Sequence, residues 1–109
     1  MPSDEEWDIL MDYLGVEVAG GKLKDKWSGL WYPPNEGATN QAKFYGLPGG
    51  KRNEGGGFTG YRYYGYWWAS TSFDEWGAWY RRLSYNDPWL SYAIEDKKHG
   101  FSVRCVADP

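Results

Sequence analysis

The strongest periodic signal in the chain is helical and lies near its start. Trp7, Leu10, Met11 and Leu14 recur at i, i+3, i+4 and i+7, which is one apolar face of a helix. Ser3 precedes this run and Glu6 follows three residues later, the pairing of a capping box. Asp4, Glu5 and Glu6 put negative charge at the positive end of the helix dipole. Gly15 supplies the stop. The spacing predicts a helix over residues 4–14.

After that helix the pattern weakens. Val16 to Lys26 can hold a short second helix, although Gly20-Gly21 counts against it. Trp27 to Gln41 reads as loop, because Pro33-Pro34-Asn35 and Glu36-Gly37 are turn chemistry. Glycines then separate short apolar and aromatic runs, which predict strands over Phe44–Arg52, Gly65–Ser72, Ala78–Tyr85 and Phe101–Val106. Within Ala78–Tyr85, Trp79, Arg81, Leu83 and Tyr85 share one face, while Tyr80, Arg82 and Ser84 share the other. Phe101, Val103 and Cys105 likewise alternate with Ser102, Arg104 and Val106. Asn53–Gly60, with its triple glycine Gly55-Gly56-Gly57, reads as a flexible loop. Asn86–Gly100 shows neither helical nor strand period and reads as loop too.

Composition sharpens the picture of the core. The 109 residues have room for one domain, 1–109, with one modest core. Trp, Tyr and Phe make up 20% of the chain, so that core must be built from large flat rings whose N–H and O–H groups need partners when buried. Fifteen glycines and six prolines favour a loop-rich α+β or all-β protein over a helical bundle. The formal charge of −3 lacks the broad positive field that draws a protein to nucleic acid, so no nucleic-acid partner is expected. No apolar run approaches a membrane span, and no signal peptide opens the sequence. Cys105 is the only cysteine, which rules out an intramolecular disulfide, and beside Val103 and Val106 it reads as a small buried hydrophobe.

Catalytic chemistry finds little support. His99 is the only histidine and reads as a solvated turn residue before Gly100, so no nucleophile–base–acid set can be assembled around it. The pairs Asp74-Glu75 and Glu95-Asp96 read as solvated surface. Gly49-Gly50 and Gly55-Gly56-Gly57 lack the Lys-Ser/Thr and helix that a phosphate loop needs. No catalytic residue and no cofactor is expected. Asp87, Glu95 and Asp96 are of the type that binds calcium, so a structural calcium ion stays open.

Several strings taken together resemble a known family. They are Pro2-Ser3-Asp4-Glu5-Glu6-Trp7, Ala19-Gly20-Gly21-Lys22-Leu23-Lys24, Leu47-Pro48-Gly49-Gly50 with Arg52, and Gly65-Tyr66-Trp67-Trp68-Ala69-Ser70-Thr71. Ala78-Trp79 with Arg81-Arg82-Leu83, Tyr85-Asn86, and Gly100-Phe101-Ser102-Val103-Arg104-Cys105-Val106 continue the series in order. The chain thereby resembles the Fibrobacter succinogenes major paralogous domain, which is similar to the formylglycine-generating branch of the C-type-lectin-like fold. The resemblance implies an α+β protein, two helices beside a small twisted antiparallel β core with long loops. It also implies a secreted or cell-surface location, and kinship with the variable proteins of diversity-generating retroelements. The formylglycine-generating activity itself should be absent, since those relatives use a cysteine-based site that one cysteine cannot reproduce. The Glu-Pro-Asn or Gln-Pro-Asp signature of calcium-dependent sugar-binding lectins is missing as well.

Two departures from the family pattern carry expectations. The first strand usual upstream of the helix is lacking, which should leave the Gly100–Val106 strand with an open edge: either the sequence is a fragment, or a partner or a second copy covers that edge. Ala107 stands where an arginine is common and could remove a terminal salt bridge. For function, the resemblance points to the variable stretch from Tyr80 to Asp96. The expected ligand-binding residues are Tyr80, Arg82, Ser84, Asp87, Trp89, Ser91, Tyr92, Ala93, Glu95 and Asp96. Exposed rings among Ser, Asp and Glu resemble a paratope for a protein or glycan. The alternatives are that Trp89 and Tyr92 fold back onto the core, and that the chain is an assembly domain joined through its open edge. Trp67, Trp68 and Trp79 are expected to be structural. Tyr61-Arg62-Tyr63-Tyr64 fits either an extension of the binding surface or an oligomer contact.

Overall fold

A computed structural model describes residues 1–104 of the chain. Helix α1 spans Asp4–Leu14, as its apolar periodicity dictates. Ser3 Oγ accepts from the Glu6 amide and the Glu6 carboxylate accepts from the Ser3 amide, so the capping box closes in both directions. This pairing holds the Glu6 carboxyl below its ordinary range. Trp7 and Leu14 are buried on the inner face of the helix. Helix α2 is a single short turn, Ala19–Leu23.

Five strands follow. β1 (Lys51–Arg52) and β2 (Phe58–Thr59) form a small antiparallel ribbon. β3 (Tyr64–Ser72), β4 (Gly77–Ser84) and β5 (Ser91–Asp96) form an antiparallel sheet in the order β3-β4-β5. The chain is therefore α+β, with two short helices and two small sheets. Hydrogen bonds fix which edges are used. The outward-facing groups of β3 are engaged, because Tyr64 O accepts from Gly50, Tyr66 O from Ser102, and the Trp68 and Ser70 amides donate to Ser102 and Pro2.

Several expected boundaries shift for identifiable reasons. Phe44–Arg52 is strand only at Lys51–Arg52, since Tyr45 and Gly50 adopt positive φ (55° and 68°) and break any ladder there. The triple-glycine loop contains β2, so Asn53–Gly60 is partly hairpin. The largest revision concerns Asn86–Gly100. This expected loop contains β5, registered against β4 from Arg82↔Ser91 to Gly77↔Asp96. Between Phe101 and Arg104 there is only an isolated bridge, Ser102 to Trp67, and Val103 is 55% exposed. The expected open edge at Gly100–Val106 is thus not found at its described part. Cys105, Val106 and Ala107 lie outside the described residues.

One sheet face lies on the core. Trp67, Ala69 and Leu83 pack with Trp7, Leu14, Ala19, Leu23, Trp31 and Leu90, and Phe44 meets Trp7 and Trp67 edge-on. Burial of rings this large carries most of the stabilisation, at roughly 25 cal/mol per Å². The Trp31 indole donates to Gly46 O, whereas Trp7 Nε1 has no acceptor among the described residues. Arg81 is fully buried on this face and joins sheet to helix. Its guanidinium reaches Asp4 Oδ1 at 2.6 Å, Asp8 Oδ1 at 2.9 Å and the Asp4 carbonyl at 3.1 Å. Two carboxylates and a carbonyl thus meet the desolvated charge, without which burial would be costly.

Lys24 forms a second buried junction. Its ammonium donates to the carbonyls of Glu36 (2.6 Å), Ser84 (2.8 Å) and Asp87 (3.0 Å), one acceptor for each N–H. The Gly20-Gly21 pair, a weakness by helix propensity, is needed beside it. A Cβ on Gly20 would lie 2.1 Å from Trp89 O, and one on Gly21 2.1 Å from Gly37 O. These glycines let the β4–β5 turn and the 37–39 loop press onto α2, where Gly21 donates to Pro88 O and accepts from Thr39.

Two outcomes follow. Gly20→Ala would gain about 1 kcal/mol in helix propensity, yet the clash with backbone at Trp89 dominates. Thermal unfolding should show the melting temperature lowered by roughly 10 °C or more. For Lys24, burial pushes the amine down to about 8 from 10.5, against the pull of Asp87 and Glu36. Between these values the unfolded chain binds more protons, so stability rises with pH across that window. Above about 10 the partly desolvated hydroxyls of Tyr66 and Tyr80, whose pKa values are raised, keep their protons in the folded chain and reverse the trend. Denaturant titrations should therefore peak where the two ranges meet, near pH 10. Lys24→Met should abolish the rise and cost at least ~2 kcal/mol through orphaned carbonyls.

Candidate functional site

Strand register sorts the expected site residues by face. Tyr80 opposes Trp68 and Ala93, and Arg82 opposes Tyr66 and Ser91, so these side chains share the face away from the core. Glu95, opposite Ala78, belongs to it too. Tyr92 and Asp96 fall on the other face, the side of Trp79 and Arg81. Asp87 and Trp89 lie in the β4–β5 turn. The ten residues are therefore divided rather than gathered into one patch. Five of them, Tyr80, Arg82, Ser91, Ala93 and Glu95, share the outer face.

Ser84 belongs to that face by parity but does not reach solvent. It is 2% exposed, its hydroxyl donates to Asn86 Oδ1, and its carbonyl is held by Lys24. Asp87 is half-buried, with Oδ1 accepting from the Trp89 amide. Trp89 and Tyr92 do not fold back onto the core, being 57% and 58% exposed. Tyr92 lies beside Trp79, with the Arg81 guanidinium 5.2 Å from its ring centre.

The outer face is an aromatic pavement. Tyr66 of β3 adjoins Tyr64 and, across the ladder, Tyr80 of β4, and Phe101 lies over Tyr66, Trp68 and Tyr80, stacked on Trp68 at 4.2 Å and on Tyr66 at 5.1 Å. Charges are set among the rings. Arg82 lies 4.9 Å from the Tyr64 ring centre and Lys51 5.3 Å from that of Tyr66. Lys51 Nζ and His99 Nδ1 approach Glu95 at 3.9 and 3.7 Å. His99 is therefore no solvated turn residue, for its side chain is 13% exposed and adjoins Phe101. Desolvation raises the Tyr66 and Tyr80 hydroxyls above 10, partly offset by Arg82, so both are neutral donors at physiological pH. Arg82 Nε is buried without a partner among the described residues.

β3 adds Tyr64, Tyr66 and Trp68 to the outer face; Tyr64, from the run expected to extend the binding surface or form an oligomer contact, is part-exposed, whereas Tyr66 is 7% exposed beneath Phe101. Their signal was the alternation Tyr64, Tyr66, Trp68 opposite Gly65, Trp67, Ala69, hidden because both faces are aromatic. Trp67 alone of the three expected structural tryptophans is fully buried; Trp68 and Trp79 are half-buried. In the Tyr61–Tyr64 run, Tyr61 is 60% exposed, while Arg62 donates to Leu30 O and lies against Tyr32. Asp74 Oδ1 is turned inward to the Trp76 and Gly77 amides, closing the β3–β4 hairpin. Asp87, Glu95 and Asp96 do not converge, and among the described residues no group of three or more metal-ligating side chains is found. Nor is any helix there long and apolar enough to cross a membrane.

Comparison with known proteins gives one match. The sequence model of the Fibrobacter succinogenes major domain fits residues 1–107. No curated protein and no solved structure gives a match.

Proposed function

The chain belongs to the Fibrobacter succinogenes major domain family, and from that premise we propose that it is a non-enzymatic ligand-binding and display domain of C-type-lectin-like fold. Its recognition surface is the outer face of β4 and β5, continued by Tyr64 of β3 and by Trp89. The ligand class is a protein or a glycan, met outside the cell or at its surface.

One observation carries this reading. The backbone beneath the 80–96 segment is fastened by the β4 ladder, by Lys24 and by the glycine contacts at α2, while Tyr80, Arg82, Ser91 and Ala93 keep part of their side chains at the surface. Trp89 is largely exposed, and Arg82 is part-exposed, its guanidinium 4.9 Å from the Tyr64 ring centre. A fixed backbone under rigid rings and adaptable polar groups lowers the ordering cost of binding, as in antibody paratopes. The part-exposed Tyr80, Arg82, Ser91 and Glu95 supply donors and acceptors to a sugar or a peptide.

The test is binding on glycan and protein arrays followed by titration with the hit. Arg82→Ala and Trp89→Ala should each weaken binding by tenfold or more, on the order of 1.4 kcal/mol, with the melting temperature nearly unchanged. Unaltered binding in both variants would refute the assignment of this surface. The same reading extends to diversification. A near-copy of the 80–96 coding region beside a reverse transcriptase, differing chiefly at adenines, is expected in the surrounding genome sequence, and its absence would confine the proposal to an invariant binding module.

A further inference from the structure

We propose that two copies of this chain associate through the free edge of β5, joining their sheets across a two-fold axis at Ala93. It rests on the outward backbone groups of Tyr92 and Ile94 and not on the ligand-binding reading, although Ser91, Ala93 and Glu95 of the outer face lie along the same edge.

Register and hydrogen bonding define which groups point outward. Lys97 N–H donates to Trp76 O, so the pair 76/97 is hydrogen-bonded and bonding alternates along the register from there. Ser91, Ala93 and Glu95 direct their amide and carbonyl groups at β4. Tyr92, Ile94 and Asp96 direct theirs away. The Asp96 groups are met locally, by Glu95 Oε1 and the His99 amide. Those of Tyr92 and Ile94 have no partner among the described residues. The opposite edge of the sheet is engaged by Gly50, Ser102 and Pro2, so β5 is where a template remains.

The strand is self-complementary. Ser-Tyr-Ala-Ile-Glu, residues 91–95, reads polar, apolar, small, apolar, polar about its centre. Antiparallel pairing about Ala93 sets Tyr92 opposite Ile94 of the second copy, and the reverse. Those are the residues with free backbone groups, so each such couple exchanges both bonds. On the side-chain level it makes aromatic–β-branched pairs, which are favourable across strands. Ser91 then faces Glu95, hydroxyl against carboxylate, and no like charges meet. The small Ala93 lies on the axis, where a bulky residue would crowd its own image. Tyr92 and Ile94 are 58% and 37% exposed, and nothing within the strand blunts its edge, neither proline, lysine nor bulge. An isologous contact of this kind closes as a dimer. It also sets two outer faces side by side in one continuous sheet.

Sedimentation velocity on the whole chain should show a concentration-dependent dimer. Ala93→Cys in a Cys105→Ser background should cross-link to a covalent dimer under mild oxidation, because residue 93 faces its own copy in a non-hydrogen-bonded pair. Glu95→Cys in the same background should not. Ile94→Pro removes an outward N–H and no bond to β4, so it should keep the circular dichroism spectrum and lose the dimer; Ile94→Lys serves the same end should the proline perturb folding. A chain that stays monomeric at high micromolar concentration without Ala93→Cys cross-linking overturns the proposal. So does a dimer that survives both substitutions at Ile94 in folded protein.

Discussion

A single buried ammonium organises the half of the molecule that carries the site. Lys24 is wholly inaccessible to solvent, and its N–H groups end on the carbonyls of Glu36, Ser84 and Asp87. These belong to the long loop, the end of β4 and the β4–β5 turn, segments with little regular structure to hold them in common. Desolvating the charge is costly, and the cost appears as a lowered pKa. What it secures is a fixed start for β5. Without Lys24, the carbonyls would be unpaired in an aromatic interior, and the turn that aims Trp89 would lose its anchor.

Arg81 does the corresponding work at the other end. It holds the first turn of α1 to the sheet through Asp4 and Asp8, while the same helix end is closed by its own capping box. Asp4 thus serves both dipole and ion pair. Both cations are embedded among rings, Lys24 against Trp31 and Arg81 against Tyr92. An aromatic core of this kind leaves gaps of irregular shape, and long cationic side chains with several donors bridge loops that aliphatic packing would not order. Adjacent Arg81 and Arg82 show how position decides role. One is buried against two carboxylates and a carbonyl of α1, the other lies among the rings of the outer face, and each keeps a buried Nε without an acceptor among the described residues.

The candidate site was legible in part. Alternation in β4 separated Tyr80 and Arg82 from Trp79, Arg81 and Leu83, and the structure keeps that division. β5 was missed although Tyr92 and Ile94 alternate with Ser91, Ala93 and Glu95. The run is short, ends in two acids and carries no strong apolar face, because an edge strand half exposed on both sides needs none. Ser84 and His99 illustrate the complementary difficulty. Both are polar residues near turns that sequence assigns to solvent, yet Lys24 draws the one inward and Glu95 with Phe101 shelters the other.

Local chemistry alone determined α1, its cap and its end, since helix period, capping box and terminal glycine are all satisfied within about fifteen residues of chain. It also determined the aromatic character of the core and the family to which the chain belongs. The tertiary structure decided which of two adjacent arginines is buried, why Gly20 and Gly21 stand inside a helix, and that residues 91–96 form a strand. Each of those depends on groups dozens of residues away: carboxylates on α1, carbonyls of the β4–β5 turn, and the ladder of β4. A side chain's neighbours across space, unlike its neighbours along the chain, are set only once the whole core has closed.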